Sequence, residues 1–305
     1  MQALFRFIES KLQERTFPMT KKIKKILLYV LKVIVSIALV WIAFRKIDPD
    51  NLTHYLSSLP FSLAVIVFLL GILNLFLQYI RFYFIIEECR HNISMKDLIK
   101  VFFMGFAFRL TIPGGHGEAA KMLFIPGAAR NRITAYGIEK LSISVLIVFL
   151  FGPAALILFP EKTNLLWISA IPVVGTILLY VLKNKPWIQK WLLSGTRYRL
   201  ISVKTIIMTL AVYAVFITQY WVLLRLFGTD WITVAAVCVF VMGAAALPVS
   251  VSGLGIRENT SAYLLSGFGI APAVGVGVPL MIFCINVVLP AIAGGILIVL
   301  TKRKY

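Results

Sequence analysis

The stretch IPGGHGEAAK, residues 112–121, brings Gly114, Gly115, His116, Gly117, Glu118 and Lys121 together between runs apolar enough to enter a membrane. A second stretch, LPVSVSGLGIREN at 247–259, sets Gly253 and Gly255 just before Arg257 and Glu258. Glycine lets a backbone turn tightly and approach a ligand closely. Carboxylates beside lysine and arginine neutralise part of the charge, and a surplus of cations attracts an anion, for which arginine offers two-pronged phosphate geometry. Arg81, inside an apolar run, and Glu139-Lys140, early in another, lie at comparable depth by sequence distance. These side chains form a candidate substrate-binding set for an anionic head group. Ionisable groups inside a membrane are expensive and mark pathways or pair with one another. The competing expectation is therefore that the charges only pair to hold the fold. His116 stays open between proton relay, phosphate donor and plain hydrogen-bonding residue, and Arg109 between binding and snorkelling to the inner face.

Catalytic readings find little support. A zinc peptidase needs H-E-x-x-H on one helix face, and the histidines are only His54, His91 and His116. Ser250 or Ser252 has no histidine on a later span, and no aspartate lies within an apolar run, so no nucleophile meets a partner. Cys89, Cys238 and Cys284 show no metal-ligand spacing and are expected as small buried apolar side chains. We expect no catalytic residue, metal or cofactor.

The elements that must position this set are membrane helices. The chain is 305 residues, 60% hydrophobic and 14% charged, where a soluble domain carries about a quarter charged residues. Runs of the length that matches a bilayer core fall at 26–44, 61–86, 133–159, 165–183, 205–227 and 274–300. Two shorter runs, 98–112 and 231–247, end in the glycine-rich stretches and are expected as re-entrant elements. The fold class expected is an all-α polytopic integral membrane protein with about six full spans, two re-entrant elements and a single transmembrane domain over 26–300. Gln78 and Gln219, within spans, are expected to bond neighbouring helices.

The net charge of +19 belongs to topology and not to nucleic acid. Lysine and arginine number seven in 1–25, seven in 87–132, six in 183–204 and three in 302–304, against two in 45–60 and one in 228–273. The positive-inside rule then puts both termini in the cytoplasm. Residues 1–25 are expected as a basic amphipathic arm that stays attached, 301–305 as a basic tail, and 184–204 as a helix on the anionic inner leaflet.

The order span, broken run, glycine turn with carboxylate, span occurs twice, over about 61–159 and about 205–300. Gln78-Tyr79 recurs as Gln219-Tyr220, Pro113 as Pro248 and Glu118 as Glu258. With the first broken run flanked by basic residues and the second nearly free of them, the halves would be an inverted-topology repeat, as in transporters.

PGGHGEAAKMLFI, AYGIEK, LPVSVSGLGIREN and the Arg81 element together resemble the transmembrane domain of lysylphosphatidylglycerol synthase and its stand-alone flippase-like relatives. The resemblance spans about 26–300. It implies that Glu118 and Lys121, Glu139-Lys140 and Arg257-Glu258 are the family's paired motifs. Lysine replaces the usual arginine at Lys121 and Lys140, and Phe82 stands where a tryptophan tends to follow the arginine. The aminoacyl-transfer domain does not accompany these motifs, so lipid aminoacylation is not expected of this chain alone. The expectation is a prokaryotic plasma-membrane translocase or carrier for a phosphate-bearing lipid. The alternative is a non-catalytic partner of an envelope-polymer or glycosyltransferase system handling isoprenoid-phosphate lipids.

Overall fold

The structure, a computed structural model, describes residues 59–89, 93–111, 117–161, 203–247 and 250–300, together with Trp41, Ser57 and scattered positions at 167–174. Among these residues the protein is built of helices alone. In order these are α1 (Phe61–Glu88), α2 (Met95–Thr111), a 3-10 helix (Gly117–Phe124), α3 (Ala129–Leu158), α4 (Val203–Leu224), α5 (Trp231–Ala246), α6 (Ile256–Ser266), α7 (Pro272–Phe283) and α8 (Leu289–Leu300). A 3-10 turn, Arg225–Phe227, extends α4, and a π turn, Cys284–Val288, joins α7 to α8.

Four helices are long and apolar enough to cross a bilayer: Phe61–Glu88, Ala129–Leu158, Val203–Phe227 and Pro272–Leu300. They coincide with four of the six expected spans, and the chain is an all-α polytopic membrane protein. The spans expected at 26–44 and 165–183 lie outside the described residues apart from isolated positions. So do the 1–25 arm, the 184–204 helix up to residue 202, and the 301–305 tail.

The helix starts follow local chemistry. Pro272 opens α7, where its missing N–H leaves no bond unmade. Asp230 caps α5 by accepting from the Thr233 backbone N–H at 2.9 Å and its hydroxyl at 2.6 Å. The Thr233 hydroxyl bond, then the backbone bond, hold the Asp230 carboxyl below the usual carboxylate range. Pro290 has no N–H to offer the carbonyl four residues back, the point at which the last helix slips into its wider π turn.

Each span buries one stripe and leaves the rest apolar. On α1 the buried side is Leu63, Val67, Gly71, Asn74, Arg81 and Phe82, at helical spacing, while Phe68, Leu69, Ile72 and Phe76 face outward. An apolar outer face is what hydrocarbon solvent permits and water does not. α1 and α4 lie against each other; α2 packs on α8, and α5 on α3. Side-chain bonds tie α1 to α4 in both directions: Asn74 donates to the Val212 carbonyl at 2.9 Å, and Gln219 to the Val67 carbonyl at 3.1 Å. Gln219 also exchanges bonds with Asn286 of the π turn, at 2.7 and 3.3 Å.

Two expectations about spans need correction. Among the described residues Gln78 bonds no neighbouring helix: it donates to Asn74, one turn back on its own helix, and faces a cavity. Cys89 and Cys238 are buried as expected, but Cys284, in the π turn, is exposed.

Candidate functional site

Between the halves lies a cavity of about 300 Å³. Arg81 of α1, Glu139 and Lys140 of α3, Glu118 of the 3-10 helix and Arg257 of α6 line it, so five of the expected side chains share one space. Three ion clusters carry the charge.

In the first, Glu139 accepts from Lys121 Nζ at 2.7 Å and lies 4.0 Å from Arg81 Nη2. All three side chains are buried. Lys121 also stands 4.3 Å from the centre of the Phe82 ring, a cation–π contact beneath a buried ammonium. Lys121 therefore pairs behind Glu139 and does not line the cavity.

In the second, Glu118 accepts from Lys140 Nζ at 2.6 Å and from Arg109 Nη1 at 3.4 Å. Arg109 Nε donates to Ser252 Oγ at 3.2 Å. This settles Arg109 as a cavity residue. Glu139 and Lys140 adjoin in sequence, yet each pairs elsewhere because neighbours on a helix point about 100° apart.

In the third, Arg257 Nε donates to Glu258 Oε1 at 2.7 Å, while Glu258 Oε2 accepts the Gly255 N–H at 2.6 Å and so caps α6. The Arg257 guanidinium lies 3.9 Å over the Phe283 ring. Glu258 is buried behind Arg257, off the cavity wall. Among the described residues, no hydrogen bond or ion pair joins Glu118 to Arg257; they meet only as walls of the same cavity.

The glycine turns divide. Gly253 and Gly255 take φ of 77° and 81°, in the region that favours glycine, and Ser252 joins them at 55°. A side chain on Gly253 would also come within 2.9 Å of Ala245 Cβ on α5. Gly117, expected in a turn, is instead the first residue of the 3-10 helix. Gly114, Gly115 and His116 lie outside the described residues.

Sequence reasoning missed Asn74, Tyr213, Tyr220 and Asn286, all on the cavity wall. Counting the clusters, Arg81, Arg109, Lys121, Lys140 and Arg257 face Glu118, Glu139 and Glu258, a surplus of two positive charges. Arg81 Nε and Nη1 and Arg257 Nη2 are buried without a hydrogen-bond partner among the described residues. Buried donors left unpaired on charged groups are costly and uncommon. The arrangement can hold an anion.

A family model described as Lysylphosphatidylglycerol synthase TM region matches residues 29–294. No curated protein matches the chain.

Proposed function

We propose, from the premise that this chain belongs to the lysylphosphatidylglycerol synthase TM region family, that it carries a phosphate-bearing lipid between leaflets through the cavity between its halves. The observation that supports this reading is the surplus of positive charge around a cavity at the meeting of spans, with buried guanidinium nitrogens unpaired. A charged head group crossing a bilayer needs a polar space whose charges oppose its own. The reading needs no covalent chemistry: binding and release on either side suffice. The reciprocal packing of α2 on α8 and α5 on α3 supports an inverted repeat with re-entrant tips meeting at the cavity. The family resemblance suggests a prokaryotic plasma membrane, and the distribution of basic residues favours cytoplasmic termini at both ends.

The test is translocation of a fluorescent phospholipid in proteoliposomes, read by reduction of the outer-leaflet probe. The parent chain is expected to move the lipid. The double variant Arg257→Gln with Glu258→Gln deletes both charges and keeps an acceptor for the Gly255 N–H. Breaking a buried pair on one side alone would cost about 3–5 kcal/mol, so the double change isolates the charge on Arg257. It is expected to unfold at the parent's temperature and to move no lipid. Transport at the parent's rate would make Arg257 purely structural and remove the reading.

A further inference from the structure

The cavity's charge and its unpaired atoms both bear on which head group fits. Among the described residues, Arg81, Arg109, Lys140 and Arg257 line the cavity with Glu118 and Glu139, four cations against two carboxylates, so a ligand that neutralises the site brings two negative charges. Of the buried polar atoms without partners on side chains that line the cavity, Arg81 Nε and Nη1 and Arg257 Nη2 donate only, and the Tyr213 and Tyr220 hydroxyls have donors to offer. Among the described residues, the one unpaired atom there that only accepts is Glu139 Oε2. Tyr213 and Tyr220 share the cavity wall with Arg81 and Arg257, so the guanidinium nitrogens and the hydroxyls open onto one space.

Resting on the lipid-carrier reading above, we propose that the cavity selects a dianionic phosphoryl group, a phosphomonoester or diphosphate on a lipid head. It does so over a singly charged phosphodiester and over an aminoacylated head carrying an ammonium. A phosphomonoester carries close to two charges at neutral pH and three strong acceptor oxygens, which match the surplus charge and the waiting donors. An ammonium would add a third positive charge to a site already positive by two and bring donors to donors. The size agrees. About 300 Å³ holds roughly ten waters, enough for a phosphoryl head but not for acyl chains, which stay in the bilayer. Free phosphate shares the same chemistry, and the experiment separates the two sources.

The purified full-length chain is offered phosphatidic acid, phosphatidylglycerol and lysylphosphatidylglycerol with identical acyl chains, at equal concentration, and read by native mass spectrometry. Inorganic phosphate and pyrophosphate are then added as competitors. Phosphatidic acid is expected to be retained over phosphatidylglycerol by about tenfold or more, as one added charge-assisted hydrogen bond supplies, with the lysyl lipid not enriched. Tyr213→Phe and Tyr220→Phe keep ring, volume and charge. Each is expected to lower phosphatidic acid retention by about tenfold without lowering the unfolding temperature in micelles, since each removes an unpaired buried hydroxyl. Equal retention of the three lipids, preference for the lysyl lipid, or unchanged retention in both tyrosine variants overturns the proposal and leaves the carrier reading standing. Retention of inorganic phosphate or pyrophosphate with no lipid keeps the dianion chemistry and removes the carrier reading. Retention of neither removes both.

Discussion

At the scale of single residues, Ser252 and Gly253 share the left-handed backbone region at φ 55° and 77°, yet they answer to different demands. Ser252 is held there while its hydroxyl accepts from Arg109 Nε at 3.2 Å. Gly253 has no room for a side chain, with Ala245 Cβ within 2.9 Å of where one would begin. Gly253→Ala is expected to lose at least about 2 kcal/mol, from φ strain and overpacking together. Ser252→Gly should stay within about 1 kcal/mol of the parent, since relief of strain offsets the lost hydrogen bond. Thermal unfolding of the two variants in micelles checks this, and a stable Gly253→Ala would contradict the geometry of the turn. The candidate site was legible in part. Arg81, Glu118, Glu139, Lys140 and Arg257 stood out because ionisable groups in apolar sequence are anomalous whatever their orientation. Tyr213 and Tyr220 did not, because a tyrosine in a span reads as an interfacial or core aromatic until helix rotation turns it toward a cavity. Lys121 carried the right charge, but the 3-10 winding of Gly117–Phe124 turned it behind Glu139. That winding leaves no periodic mark in so short a segment.

At the scale of elements, the four described spans were legible because length and hydropathy alone define them; their partners were not. The pairing of α2 with α8 joins segments far apart in the chain, and Gly294 lets the two backbones approach closely. A side chain on Gly294 would fall on the Phe103 carbonyl of α2, whereas one on Gly295 meets open space. Gly294→Ala is therefore expected to lose about 1–3 kcal/mol, and Gly295→Ala about none, or to gain up to roughly 1 kcal/mol in helix propensity. Unfolding in mixed micelles, titrated with denaturing detergent, reads the difference. Equal behaviour of the two would mean that α2 and α8 do not touch there. The same positions show why composition did not disclose the contact: neighbouring glycines are identical in sequence, and only the face each presents separates them.

At the scale of the whole molecule, the re-entrant reading makes a claim about sidedness. Ser94 and Ala128 flank the α2 tip, and Leu226 and Ser266 flank the α5–α6 tip; all four are exposed. In a cysteine-free background, Leu226→Cys and Ser266→Cys are both expected to react with a membrane-impermeant maleimide in intact cells. Ser94→Cys, Ala128→Cys and Gly195→Cys should react only after the membrane is opened, as the distribution of basic residues requires. Labelling of Leu226→Cys and Ser266→Cys from opposite sides would make α5 and α6 one crossing and remove the inverted repeat. Shared dipeptides and turns suggested two halves, but the sequence did not disclose how the helices interleave, because the contacts that make it join residues far apart along the chain.

That interleaving also sets a timetable for biosynthesis. Phe103 and Gly294 are 191 positions apart, and Arg109 waits for Ser252 across a gap of 143. At the ribosome's pace of about 5–20 residues per second, α2 enters the membrane roughly ten to forty seconds before α8 exists to cover it. Through that interval a helix with an arginine in its last turn has only the segments already made to lean on. The newborn chain is thus most vulnerable to membrane proteases and misinsertion between the synthesis of α2 and that of α8, whose arrival closes that window.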